Sequence, residues 1–353
     1  MDVYLLGKQL WDDSQLVYHA MAKLGREGLI LLSPASPYVC IGFHQDLFKE
    51  VDVDFCRRRR IPMFRRDVGG GAVYLDGNQL FFQMILKRED PRIPASKELF
   101  YRKFLQPVIH VYRRLGIAAE YKPINDVIAG NRKISGSGVG EIGPSIVFVG
   151  NLIVDFNHDM MARVLKVPDE KFRDKVYRTL KENLSTIRQE LGDENAMQWN
   201  EDRLNEMMIE EFSKLLGPLN PRPLDDHVRL KMDELRDVMK SDAWLTEIRS
   251  RSSGRKLKIR DGVHLFQKVH KAKGGLMRAD FEIHDGRFAG VSISGDFFCY
   301  PPDAVRILEA KLDGEQLSEF RSLIEAFYPT HSIETPGISI DDWAILFDAG
   351  QVV

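Results

Sequence analysis

Three consecutive glycines, Gly69 to Gly71, stand between two runs that read as strands and directly follow Arg65-Arg66-Asp67-Val68. Without Cβ atoms a backbone can take positive φ and can approach another backbone or a ligand closely. Successive N–H groups in such a turn form a concavity suited to an anion. An arginine beside it adds a forked contact to a carboxylate or phosphate. A plain hairpin turn between solvated arginines fits the same letters equally well, so the run needs company before it means binding.

The periodicity around it is mixed. MFRRDVGGGAVYLDGNQLFFQMIL (63–86) reads as strand, glycine turn, strand, polar turn, strand. Asp13-Ser14 starts a helix over 15–25, and LILLSP and YVCIGF (38–43) read as strands. Residues 51–60 form a short helix with Asp52 and Asp54 near its start and arginines at its end, the charge order that suits a helix dipole. After Pro94 an amphipathic helix runs to about Leu115 and stops at Gly116. Short strands follow around Asn125-Asp126, Lys133-Ile134 and 146–156. From Asp159 to about Glu247 the pattern is helical and charge-rich, broken by GPLNPRP (217–223). The polar stretch RSRSSGRK (250–256) marks a boundary. Beyond it come strands over 263–298 with an Asp285-Gly286 hairpin signal, then helices near 302–312 and 315–327.

At 353 residues the chain exceeds the roughly 250–300 at which single cores stop growing, so two domains are expected. These are an α+β domain over 1–249, with a helical extension at about 159–247, and a small α+β domain over 252–353. The net charge of −2 gives no broad footprint for nucleic acid, and Arg57 to Arg60 read as a solvated helix face. The three cysteines, Cys40, Cys56 and Cys299, are widely spaced with no C-x-x-C pair, which suits a reducing compartment. The first residues carry acids where a signal peptide needs a basic end, and no run of 18 apolar residues occurs. A cytoplasmic monomer without membrane or nucleic-acid partners is the expectation.

A second constellation is Asn125-Asp126, followed by Asn131-Arg132-Lys133-Ile134-Ser135-Gly136-Ser137-Gly138. A carboxylate beside an amide at a strand end suits a Mg²⁺-nucleotide. A lysine followed by small residues presents one point charge into a closely packed site, where it would stabilise an acyl oxygen and phosphate becoming a mixed anhydride. Taken singly, two ordinary turns and a surface lysine explain these letters better.

In this order and about 60 residues apart, the two constellations resemble the lipoate–protein ligase family, a relative of biotin ligases and class II aminoacyl-tRNA synthetases. The likeness rests on Arg65-Arg66, Gly69 to Gly71, Gly77-Asn78, Asn125-Asp126 and Arg132 to Ser137. GDFF (295–298) resembles part of the accessory domain of bacterial-type ligases. The resemblance implies a class II synthetase/biotin ligase-like catalytic domain with a small C-terminal accessory domain that closes over the adenylate and rotates for transfer. It implies two reactions: lipoate and ATP give lipoyl-AMP and pyrophosphate, then an acceptor lysine displaces AMP. ATP and Mg²⁺ would be needed. The acceptor would be a 2-oxoacid dehydrogenase lipoyl domain, a glycine-cleavage H protein or another lipoate-binding protein.

Carried over, the resemblance gives Lys133 the acyl carbonyl and phosphate as a catalytic residue, with Asp126 near the nucleotide and its Mg²⁺. Arg66, Gly69, Gly70, Gly71 and Ala72 would line the lipoate and phosphate site, and Asn78 would support that loop. Asn125 would sit near the nucleotide or the incoming lysine, and Ser135 and Gly136 would bind the substrate or its adenylate. His44 and Gln45 stand where the family often has a polar residue near substrate.

Three departures touch the expected site. Leu75-Asp76-Gly77-Asn78 lacks a histidine that the family usually carries, Gly138 stands for alanine, and Gly150-Asn151 stands for Gly-Thr. They leave the acyl chain and the acceptor open. Gly138 to Gly143 spells G-x-G-x-x-G, but Pro144 and a strand-like run follow where a dinucleotide fingerprint opens a helix. Octanoyltransferases of the superfamily use an acyl-accepting cysteine, and this chain has Ile124 and Val167-Pro168-Asp169 at the two places such a cysteine occupies. Octanoyltransferase, biotin ligase and a non-catalytic lipoate-binding relative are the rival readings.

Overall fold

The computed structural model describes residues 1–248, 258–260 and 263–348. Its largest sheet is built from β1 (Asp2–Gln9), β2 (Gly28–Pro34), β6 (Gln79–Lys87), β10 (Ser137–Ile142), β11 (Ser145–Ile153) and β12 (Asn220–Pro221), in the order β10-β11-β6-β2-β1-β12. Between them lie two small sheets. One joins β3 (Tyr38–Ile41), β4 (Met63–Arg65) and β5 (Val73–Leu75); the other joins β7 (Ala119–Lys122), β8 (Asp126–Ala129) and β9 (Arg132–Ser135). Beyond residue 257 a separate sheet runs β13-β14-β15-β16, comprising Lys258–Arg260, Val263–Ala272, Gly275–His284 and Arg287–Gly295.

The central strand β6 shows why the sheet forms. All but the last of its residues are buried, as a strand covered on both faces requires. One face meets the helix Asp13–Lys23, of which Ser14 to Ala22 are buried. The helix over 94–115 is in fact two, Lys97–Phe104 and Gln106–Arg114, because the chain turns at Leu105 and Pro107 occupies the first turn of the second. The charge-rich middle is less of an appendage than its composition implies. Leu204, Met208 and Phe212 of the helix Glu201–Leu216, and Val228 and Met232 of Asp226–Met239, belong to the main core. The GPLNPRP break holds β12, which pairs in parallel with β1.

A second core gathers Phe281, Phe288, Ile293, Phe297, Leu308, Ile324 and Trp343. Asp285 and Gly286 both have positive φ (48° and 79°) in a two-residue hairpin loop, the backbone that the Asp-Gly signal calls for. A helix over Ile340–Leu346, closed by a Ser339/Asp342 capping box, follows the two helices read from periodicity. The expected boundary at 250–256 lies outside the described residues. Neighbours in sequence at the end of this sheet are divided between the two cores: Phe297 packs in the second and Phe298 in the first. Among the described residues no helix is long and apolar enough to cross a membrane.

Candidate active site

A cavity of about 160 Å³ opens on the face of the large sheet beside the glycine run. Its floor follows from strand register. Gly138, Val149 and Gln83 lie in one row across β10, β11 and β6, and Asn151 pairs with Phe81 in the next row. Paired residues point to one face, and so do alternate ones, so Gln79, Phe81 and Gln83 form a line along that face. Gln15 and Tyr18 reach in from the first helix, Cys40 from the small sheet, Arg66 from just beyond β4, and Val68 to Gly71 from the glycine loop.

Lys133 stands at one end. It lies on β9, opposite Ile128 of β8, and its Nζ is 2.6 Å from Asp126 Oδ1. A Cβ on Gly136 would lie 3.5 Å from Lys133 Cε, so the glycine lets the chain fold tightly around the lysine stem. Asn125 donates from Nδ2 to Ser137 O, and Ser137 Oγ donates back to Asn125 O at 2.7 Å. Asn151 fastens this end to the sheet: its Oδ1 accepts from Gly136 N at 3.0 Å, and its Nδ2 donates to Gln79 Oε1 at 2.8 Å.

The glycine loop is braced from within and from the second core. Arg66 Nη2 donates to Gly69 O (2.8 Å) and Gly71 O (2.9 Å). Gly70, at φ +89°, donates its N–H to Phe297 O at 3.2 Å. Two of the donors expected to meet an anion, Arg66 Nη2 and the Gly70 N–H, are thus engaged with backbone carbonyls. Gly42 shows how close the loop comes to β3, since a Cβ there would fall 1.9 Å from Gly70 O.

Of the residues singled out from sequence, Arg66, Gly69, Gly70, Gly71, Asn125, Lys133 and Gly136 line this cavity. Asp126 reaches it through Lys133. Ser135 lies beneath, buried, with Oγ donating to Asn151 O at 2.6 Å. Ala72 packs against a third apolar cluster, around Val39 and Ile41. Asn78 is exposed, and its carbonyl accepts from Val154 and Asp155 rather than bracing the 66–71 loop. His44 and Gln45 lie outside the cavity. Gln45 Oε1 caps Gly42 N at 2.9 Å. The His44 ring stacks on Phe297 at 4.9 Å between centroids, and burial pushes its pKa down to about 3. Arg65, unlike its neighbour, is a buried staple donating to Phe43 O and Leu245 O.

Gly138, Gly150 and Asn151, named from sequence among the departures near the site, line the cavity too, whereas Gln15, Tyr18, Gln83 and Phe298 line it without having been assigned to it. One of these left a trace: Gln83 interrupts the apolar run of β6. Cys40 lines the wall with Sγ 3.6 Å from Arg66 Nη1. Burial raises its thiol pKa and Arg66 only partly opposes that. Cys56 and Cys299 are pushed by burial up to about 12. Among the described residues no group of three or more His, Cys, Asp or Glu side chains is arranged to hold a metal. Asp126, ion-paired with Lys133, would suit Mg²⁺ as it accompanies a nucleotide, held by one or two carboxylates plus substrate phosphates.

Residues 11–213 match the family model of the lipoyl protein ligase A/B catalytic domain. Lipoate-protein ligase A subunit 1 of Thermoplasma acidophilum is 33% identical over 159 residues, which is 42% of this chain and 59% of that protein. Lipoate–protein ligase 1 of Staphylococcus aureus is 25% identical over 270 residues, 74% of each chain. Octanoyltransferase LipM of Kyrpidia tusciae is 24% identical over 231 residues, 59% of this chain and 82% of that one. Two solved structures share the fold. The bipartite lipoate protein ligase of T. acidophilum, described with its E2 lipoyl domain, has a TM-score of 0.60 at 24% identity, covering 72% of this chain and 98% of its own. LipL1 of P. falciparum in complex with lipoate has a TM-score of 0.68 at 15% identity, covering 94% and 95%.

Proposed function

The chain belongs to the lipoyl protein ligase A/B catalytic-domain family, and on that footing we propose that it is an ATP-dependent lipoate–protein ligase. In the first step a lipoate carboxylate oxygen attacks the α-phosphorus of ATP, and the bond to the departing pyrophosphate breaks. In the second, an acceptor lysine amine attacks the acyl carbonyl of lipoyl-AMP, loses a proton, and AMP leaves. The observation that carries the reading is Lys133 Nζ at the end of a mainly apolar cavity, beside Asp126, Asn125 and the glycine loop. A cation there offsets charge on the acyl oxygen and phosphate in the transition state, where a preorganised donor counts most. Mg²⁺ carried in with ATP would neutralise phosphate charge, with Asp126 as its protein contact. Lipoate and octanoate both suit the apolar lining, because such pockets discriminate weakly between near-isosteres.

For the acceptor we infer a lipoyl domain of a 2-oxoacid dehydrogenase, in line with the E2 lipoyl domain described alongside the T. acidophilum ligase. A glycine-cleavage H protein is the alternative acceptor. The part of the chain from about 252 onward acts in this reading as an accessory domain, and its Phe297 and Phe298 contacts with the glycine loop support a role in activation. A cytoplasmic setting suits cysteines that are all buried and free. The deciding experiment is the intact mass of purified apo-acceptors after incubation with the protein, Mg-ATP and lipoate. A gain of one lipoyl group that needs ATP supports the ligase. No gain with any acceptor, and no lipoate-dependent pyrophosphate release, would sink it.

A further inference from the structure

Part of the cavity wall is supplied by the segment that follows the last strand of the second sheet. Phe298, 5% exposed, lines the cavity although it follows the last strand of the far sheet. Three glycines make room for its ring. A Cβ on Gly138 would lie 3.3 Å from Phe298 Cε1, one on Gly70 would lie 3.1 Å from Cζ, and one on Gly69 would lie 3.0 Å from Cδ1. Behind the ring stands Tyr101, edge-on at 6.2 Å between centroids. The backbone on either side is pinned: Gly295 N donates to His44 O at 2.9 Å, Gly70 N donates to Phe297 O at 3.2 Å, and Tyr300 Oη donates to Val139 O at 2.9 Å. The glycine run therefore serves close packing against an aromatic ring as well as any anion.

Position along the cavity says what the ring meets. Gly138 lies two residues along the chain from Gly136, which touches the Lys133 stem, and strands advance about 3.4 Å per residue. An acid whose carboxyl group sat at Lys133 would have Val149, Phe81 and the ring among the apolar groups lining the space for its tail. We propose that Phe298 is a specificity-determining residue for the acyl chain: its side chain, carried on the segment after β16, closes the cavity and limits the length of the carboxylic acid that fits. This rests on the ligase reading for its chemistry, and on the cavity alone for its binding.

The test is calorimetric binding of sodium octanoate and sodium dodecanoate to the full chain and to Phe298→Ala, with ATP–pyrophosphate exchange run on the same samples. In Phe298→Ala the dodecanoate-to-octanoate affinity ratio rises by about tenfold or more, as several further methylenes become buried. If thermal melting shows Phe298→Ala unfolded, Phe298→Leu decides, with a ratio raised about threefold or more. An unchanged ratio in the folded variant overturns the proposal. So does failure of the unaltered chain to bind either acid, or a variant whose KM for ATP rises while the acyl ratio stays put. A shifted ratio with no exchange in the unaltered chain upholds Phe298 as the wall and defeats the ligase reading instead.

Discussion

Lys133 Nζ and Asp126 Oδ1 form a 2.6 Å ion pair across the β8–β9 hairpin, with the side chains 37% and 29% exposed. Solvent screens such a pair, so it adds little to stability, and its cation remains open to an arriving carboxylate or phosphate. Lys133→Ala should lower lipoate-dependent pyrophosphate exchange by about 100-fold to 1,000-fold, the cost of removing one preorganised donor to a developing negative charge, while leaving the melting temperature nearly unchanged. Because Asp126 acts partly through the lysine, adding Asp126→Ala to Lys133→Ala should cost less than Asp126→Ala costs alone. Full additivity in that cycle would show that the two residues act independently.

Asn151 is the tie between the Lys133 end and the sheet. Replacing it with alanine removes the acceptor for Gly136 N and the donor to Gln79, and a lost hydrogen bond is typically worth about 1 kcal/mol. Asn151→Ala should reduce kcat/KM for lipoate by about tenfold, since about 1.4 kcal/mol is a factor of ten. Asn151→Thr, which offers a hydroxyl able to accept or donate in place of the amide, should lose less. Equal steady-state kinetics for both variants and the parent would remove Asn151 from any positioning role.

The parts of the site that sequence discloses are those carried by short segments. The glycine run, Asn125 and the Lys133 stretch are each local, and their separate positions converge because β8, β9 and the 66–71 loop border one strand face. The hairpin at Asp285-Gly286 is legible for the same reason: its φ values are demanded by the turn itself. What local pattern leaves out is contact across long separations. Phe298 meets Gly70 and Gly138 only once the second core docks, and His44 is drawn onto Phe297 and away from the cavity by that same docking. The helices at Glu201–Leu216 and Asp226–Met239 look like a charged extension because their solvated faces dominate composition, yet Met208, Phe212 and Val228 complete the main core.

A ligase forms no covalent acyl-enzyme, whereas the octanoyltransferase relatives of this family raise the alternative of a thioester. Cys40 is the cysteine at the cavity, and burial holds its thiol above the ordinary range, which disfavours the thiolate. Incubation with lipoate and Mg-ATP, or with an octanoyl thioester, should therefore leave the intact mass of the protein unchanged after denaturation. A stable octanoyl adduct mapping to Cys40 would favour the transferase.

His44 ties the two cores together and titrates with a defined sign. Its ring is stacked on Phe297, its carbonyl accepts from Gly295 N, and burial pushes its pKa from 6.5 down to about 3. The unfolded chain therefore takes up a proton below about pH 6.5 that the folded chain refuses, so stability falls as pH drops through that window toward 3. At about 1.4 kcal/mol per unit, His44 should contribute a loss of about 2 kcal/mol between pH 7 and pH 5. His19, also buried with a lowered pKa, acts in the same direction, so the parent will show more than the His44 share. Urea unfolding of the parent and of His44→Gln at both pH values isolates that share. The variant should be less stable at pH 7, where the stack is lost, and should show a pH dependence smaller by about 2 kcal/mol. An equal pH dependence in the two proteins would mean that His44 is protonated in the folded state, and that acid leaves the contact between the cores intact.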